Sequence, residues 1–297
     1  MDVNAQNLSI LNTTVSTAFN NAFGGAESQY QKVATVVPSS GAANTYAWLG
    51  KSGQIREWLG ERVINRLKKH DYTIKNKKYE KTEGIPVDDI EDDSYGVYMP
   101  LFEQMGVNAA EFPDKLTFSV LKQGFTELCY DGQYFFDTDH PVGEDGAEES
   151  VSNMQAGAGE GWYLLCTKRP LKPLIWQKRK PFNLMMKSDP NTSDHVFMND
   201  EVLWGVDGRC NSGFGLWQLA FGSKATLDAS NFSAAREEMM KFKSDSGEPL
   251  GIVPDLLVVG PGNMSAAETL LEAVNNANGS TNTNYKKVEL LVCPWLA

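Results

Sequence analysis

A chain of 297 residues is long enough to bury a sizeable core, as one large domain or two modest ones. Its 38 aspartates and glutamates outnumber its 27 lysines and arginines, and a net charge of -11 excludes wholesale wrapping by nucleic acid, which takes an excess of cations. The four cysteines, Cys129, Cys166, Cys210 and Cys293, form no Cys-x-x-Cys pair, which argues against a zinc or disulfide framework and for buried thiols in a reducing compartment.

At the amino terminus Asp2 stands where a secretory signal would carry cations, and no continuous apolar run follows; no stretch approaches the roughly 20 apolar residues that span a bilayer. The expectation is a protein kept in a cytoplasm until something releases it. Leu8, Ile10, Leu11, Val15, Phe19 and Phe23 make a loose amphipathic pattern ending at Gly24-Gly25, a short helix or an arm docked on something else. The segment from Ala34 to Gly50 reads as a turn-rich connector ending in Tyr46 and Trp48.

A short helix is predicted over IREWLGERVINRLKKH, from Ile55 to His70. From Asp71 to Asp93 apolar and charged residues then alternate as in a strand, with a break at Glu83-Gly84, and the pattern reads as a long projecting hairpin or extended loop. Its charges are segregated: Arg62, Arg66, Lys68, Lys69, Lys75, Lys77, Lys78 and Lys81 come first, then Asp88, Asp89, Glu91, Asp92 and Asp93. Charge runs usually solvate a face. A two-sided hairpin with little apolar surface is poorly stabilised alone, however, so these charges are candidate contacts to a neighbouring subunit.

From Ser94 the period becomes helical: Tyr98, Leu101, Phe102 and Met105 recur at three and four residues, and Pro113 opens a second stripe of Leu116, Val120, Leu121 and Phe125. Between Tyr130 and Glu149 the chain is acidic around His140. Asp137, Asp139 and His140 could hold a hard divalent ion, the core of a metal-dependent hydrolase, yet neighbouring Asp139 and His140 point apart and no spaced second pair of ligands exists. A surface loop is the simpler reading of that composition.

Two pairs of strand-like runs follow, one broken by Pro170, Pro173 and Pro181, the other set around Gly208, Gly213 and Gly215; such prolines belong to sheet edges. The basic stretch Lys168–Lys180 suits either DNA or a neighbouring subunit. The tail returns to α/β order, with a helix carrying Phe232, Ala235, Met239 and Phe242 on one face, a strand from Asp255, a helix capped by Ser265 with Glu268 after it, a polar loop from Asn275, and a last strand. The turn VVGPGNMSAAE sits where a phosphate loop would, but it lacks the Lys-Ser/Thr end of one and the third glycine of a dinucleotide fingerprint. No serine or cysteine carries a nucleophile signature.

Taken together, AESQYQKVATVVPSS, REWLGERVINRLKKHDYTIKNKKYEKTEGIPVDDIEDDSYGVY, LCYDGQYFFDTDHP, NSGFGLWQLAFGS and LLVCPWL resemble the major head subunits of bacteriophage Mu and its prophage relatives, in the same order from about Ala26 to the end. The resemblance implies an α+β capsid protein of the Hong Kong 97-type fold. Its parts would be an N-terminal arm (1–45), an extended E-loop (46–93), a peripheral domain with a spine helix and long strands (94–223), and an axial domain (224–297). It implies no catalytic residue, metal or cofactor. Its implied partners are copies of itself in hexamers and pentamers, packaged double-stranded DNA held non-specifically, and scaffold, protease, portal and decoration proteins. The implied place is a virion capsid, assembled in the cytoplasm of a host bacterium. A tail-tube or encapsulating shell protein is the other assembling alternative.

Overall fold

The computed structural model describes residues 2–46, 72–92, 94–143 and 146–297. In chain order the elements are α1 (Ala5–Gly25), α2 (Tyr30–Val33), β1 (Ala34–Pro38), β2 (Ala43–Thr45), β3 (Thr73–Lys75), β4 (Lys77–Pro86), α3 (Val87–Glu91) and α4 (Met99–Gln123). Then come β5 (His140–Val142), β6 (Glu149–Val151), β7 (Met154–Gln155), β8 (Trp162–Leu165), β9 (Leu174–Lys187), α5 (Asp194–Asn199), β10 (Glu201–Phe214) and β11 (Ala220–Ser223). The tail supplies α6 (Ala229–Met240), β12 (Leu256–Val259), α7 (Met264–Leu271) and β13 (Glu289–Val292).

One sheet is long. Its order is β1-β9-β10-β4, with β9 and β10 each running 14 residues and β4 pairing along β10 from Lys77 opposite Cys210 to Pro86 opposite Glu201. The alternation read at 71–93 is therefore a strand, but not a hairpin. β4 passes unbroken through Glu83-Gly84, its partner is more than a hundred residues away, and Val87 and Ile90 belong to the short helix α3. Alternation reports which face is buried and says nothing about which strand lies alongside. Pro181 sits beyond the last residue of β1 that pairs with β9, opposite a bulge in the β9–β10 register, where no ladder hydrogen bond is lost.

Against one face of this sheet lie α1 and α4. Leu8, Leu11, Val15 and Phe19 are buried, at the three- and four-residue spacing of one helix face, and they meet Phe102, Met105 and Ala109 of α4 over Ile85, Val202, Trp204 and Val206. Phe102 packs edge-on to Trp204 at 5.4 Å, and the Trp204 indole N–H donates to Asn12 Oδ1. The two helices touch at Gly106, where a Cβ would lie 2.4 Å from the Phe19 carbonyl oxygen. Ile10, counted on the apolar face from sequence, is exposed.

Pro100 stands in the first turn of α4, and Pro113, read as the opening of a second stripe, interrupts nothing: α4 is one helix of 25 residues. A proline inside a helix costs about 3 kcal/mol. Burial of Phe102 and Met105 before it, and Phe118 and Leu121 after it, contributes about 1.5–3 kcal/mol per side chain, so packing decides in favour of continuity. Asp114, buried, accepts from the backbone N–H groups of Gln29 and Tyr30 and from Ser28 Oγ, capping α2 from across the molecule.

The second sheet has the order β13-β12-β8-β11-β7. It joins strands from both sides of residue 224, so a break between 223 and 224 would divide a hydrogen-bonded sheet. Phe232, Ala235 and Met239 are buried on α6 as the helical spacing requires, whereas Phe242, read as part of that face, is buried beyond the end of the helix. Ser265 does not cap α7: it lies inside the first turn, and Asn263 precedes the helix with its amide turned to the Glu160 carbonyl. Nor is the polar loop from Asn275 merely solvated. The Asn282 amide donates to the carbonyls of Leu270 and Ala273, and Asn282 and Asn284 are both buried. The connector after Ala34 likewise contains β1 and β2, the latter paired with β3 in a two-stranded ribbon.

Candidate assembly surface

His140 is fully buried. Its Nδ1 lies 2.7 Å from Asp131 Oδ2 and its Nε2 3.1 Å from Asn153 Oδ1, while its ring stacks on Trp217. Asn153 is held in that orientation because its amide nitrogen donates to the Phe135 carbonyl and its oxygen accepts the Asp137 N–H. Asp137 is used locally, its carboxylate accepting from the backbone N–H groups of Tyr134 and Thr138. Asp139 is exposed beside Asp137. The three residues singled out as a metal candidate therefore do not converge.

Among the described residues, the group whose donor atoms come within 4.8 Å of one another is instead Cys129, Asp131 and His140. Each is already partnered, since the Cys129 thiol donates to Asp131 Oδ1 at 3.0 Å and His140 takes Oδ2. Burial opposes the Asp131 charge, but the His140 hydrogen bond and charge, with the Cys129 and Gln133 donors, outweigh it and hold the carboxyl below its usual range. This is a closed buried network. Neither Asp131 nor Asn153 was singled out from sequence, because their link to His140 runs through a turn and a strand that composition does not reveal. The turn itself, with Gly132 at φ 88°, was the available signal.

The glycine turn before α7 is filled from within. A Cβ on Gly260 or Gly262 would lie 2.0 or 1.9 Å from a Glu160 carboxylate oxygen. The Glu160 carboxylate therefore lies directly against both glycines of the turn. All four cysteines are buried thiols, and burial pushes Cys210 and Cys293 up to about 12.

Charge is instead organised along the long sheet. Lys78, Arg209 and Lys180 are direct cross-strand neighbours on β4, β10 and β9. Lys75, Lys77 and Lys178 lie at the same end, where none of these last three forms an ion pair among the described residues, whereas Lys180 meets Asp207 at 2.6 Å and Lys81 meets Glu83 at 2.9 Å. At the other end stand Asp88, Asp89 and Glu91 of α3 and Asp92 just after it, with Asp89 accepting from the Tyr98 hydroxyl. Arg62, Arg66 and Asp93 lie outside the described residues.

The sequence profile described as Mu-like prophage major head subunit gpT matches residues 8–296. The chain belongs to that family. Its head-subunit character agrees with curated and solved relatives. The chain is 40% identical to the major capsid protein of Escherichia phage Mu over 306 aligned positions, with both chains covered completely. A subunit of the procapsid of bacteriophage JBD30 superposes with a TM-score of 0.87 at 44% identity, covering 99% of this chain and 100% of that one. A subunit of the JBD30 capsid decorated with minor capsid protein trimers superposes with a TM-score of 0.78 at 35% identity, covering 94% of each. The head subunit is a major capsid protein of the Mu-like type, with the Hong Kong 97-type α+β fold, and its function is structural rather than enzymatic.

Proposed function

We propose that copies of this head subunit close into an icosahedral shell of hexamers and pentamers that encloses double-stranded DNA. The observation that carries the reading is the superposition on a procapsid subunit over essentially the whole chain. Many modest interfaces then stabilise the shell by multivalency. The net charge of -11 suits a container that must not hold its DNA tightly. Much of the basic stretch Lys168–Lys180 is engaged within the subunit: Arg169 donates to the Leu250 and Gly251 carbonyls, Lys172 to Gln31, Arg179 to Ser39 and Lys180 to Asp207. That favours a structural role for it over DNA contact.

In this reading α1 with its following turn is the arm, residues 46–93 include the E-loop, and α4 with the four-stranded sheet is the peripheral domain. The axial domain is the five-stranded sheet with α6 and α7, so it draws on strands before residue 224 as well as after it. Scaffold, protease and portal proteins would act during assembly in the host bacterial cytoplasm, and decoration would follow the minor capsid protein trimers of the JBD30 relative. The inter-subunit contacts would use Arg62, Arg66, Lys75, Lys77, Lys78 and Lys81 against Asp88, Asp89, Glu91, Asp92 and Asp93. Negative-stain electron microscopy with light scattering, across protein and salt concentration and with co-expressed scaffold, tests the reading. Shells, capsomer rings or curved sheets are expected, and a small monodisperse particle under every condition would overturn it.

A further inference from the structure

Two opposite charge clusters stand at opposite ends of one rigid sheet. At the first end the row Lys78–Arg209–Lys180 crosses three strands on a single face, with Lys75, Lys77 and Lys178 around it and only Glu80 and Asp207 as carboxylates in the adjoining row. Like charges directly opposite one another destabilise a sheet. The Lys180–Asp207 pair offsets part of this, while the Nε–H of Arg209, itself buried, has no hydrogen-bond partner among the described residues. In a chain of net charge -11 such a concentration of cations is anomalous.

At the second end stand Asp88, Asp89 and Asp92, together with Asp200 and Glu201 where β10 begins, and Lys187 is the cation nearest them in strand register. Lys78 and Pro86 lie eight residue steps apart along β4, a span of about 27 Å at strand rise. That exceeds the screening length of about 8 Å at physiological ionic strength several-fold, so the two clusters cannot neutralise each other within a subunit. Between two subunits they can.

We propose that the basic end of the four-stranded sheet, centred on Lys78, Arg209 and Lys180, receives the acidic α3 end of a second copy in a head-to-tail contact. Such a contact is heterologous, and heterologous contacts generate closed rings when the rotation between copies closes. The proposal rests on the shell reading above and names the partner surface for it. It adds Lys180 and Arg209 on β9 and β10 to a contact whose basic side was otherwise confined to residues 62–81. Its charges steer docking and fix register, so assembly should slow as salt rises.

The test uses the full chain in four forms: unaltered, Lys78→Glu with Lys180→Glu, Asp88→Lys with Asp92→Lys, and all four changes together. Circular dichroism first establishes that each is folded, and assembly is then followed by light scattering and electron microscopy. The expected result is assembly by the unaltered chain, at least tenfold slower or absent assembly by either reversal, and recovery in the fourfold exchange, whose two ends are again complementary. Reversed chains that assemble like the unaltered one would overturn the contact. So would a fourfold exchange no better than the separate reversals, since the charges would then meet other partners. If the unaltered chain itself never assembles, even with scaffold, the shell reading fails instead.

Discussion

The His140 imidazole lies flat on the Trp217 indole, ring centroids 4.0 Å apart and planes 10° from parallel. Its two nitrogens face Asp131 and Asn153, so one side chain ties the turn at Cys129–Gln133, the start of β5 and the segment before β7 to the main core. Removing one partner of a buried hydrogen bond to a charged group leaves the other unsatisfied, at a cost of about 1–3 kcal/mol. His140→Gln should therefore lower the unfolding free energy by roughly that amount, as read by urea denaturation. A loss below about 1 kcal/mol, typical of an exposed pair, would mean that the pair contributes as if it were on the surface.

The same network sets an acid limit. The Asp131 carboxyl is held below its usual range although burial opposes its charge; the His140 hydrogen bond is the leading reason. A folded-state value below the unfolded one contributes stability that is complete above the ordinary carboxylate range, near pH 3.8, and is lost as pH falls through the depressed value. Asp131→Asn should flatten the stability profile below about pH 4 while lowering stability at pH 7. An unchanged slope in the acid arm of urea-midpoint measurements would sink this account.

Two glycines that look equally crowded should behave differently. At Gly106 the obstacle to a Cβ is the Phe19 backbone carbonyl at 2.4 Å, which moves only if α1 moves; at Gly262 it is the end of the Glu160 side chain at 1.9 Å, which can rotate away. Overpacking against fixed atoms costs about 1–3 kcal/mol. Gly106→Ala should therefore destabilise by that amount and loosen α1, seen as faster amide exchange at Val15 and Phe19, whereas Gly262→Ala should cost well under 1 kcal/mol. Equal melting temperatures for the two variants would contradict the distinction.

Legibility in the sequence followed the range of the interactions. Leu8, Leu11, Val15 and Phe19 on α1, Phe102, Met105 and Leu121 on α4, and Phe232, Ala235 and Met239 on α6 are buried as read, because periodicity specifies them, whereas Ile10 is exposed. The partner of β4, the continuity of α4 through Pro113 and the mixing of early and late strands in the five-stranded sheet depend on contacts distant in sequence, which local pattern does not encode. At the assembly surface, the cations on β4 were visible as a run. Lys180 was visible only as the end of the separate basic stretch Lys168–Lys180, and Arg209 not at all, since only the register brings them beside Lys78.

The root of the segment between Tyr46 and Tyr72 is fastened by one buried amide. Gln177, on β9 and without solvent exposure, accepts from the Tyr46 hydroxyl at 2.8 Å and donates to the Ile74 carbonyl at 3.0 Å and to Asn76 Oδ1 at 2.8 Å. Asn76 in turn donates to Ser39 Oγ and the Gly41 carbonyl, so the β2–β3 ribbon is held to β9 through side chains that each satisfy the next. Leucine at position 177 would keep the volume and remove the donors, leaving a buried carbonyl short of a partner at a cost of about 1–3 kcal/mol. Gln177→Leu should accordingly speed amide exchange at Thr73–Lys75 more than in the centre of β10, because the ribbon would open without the sheet unfolding. Exchange that quickens equally in both would show that Gln177 supports the whole sheet and not the ribbon in particular.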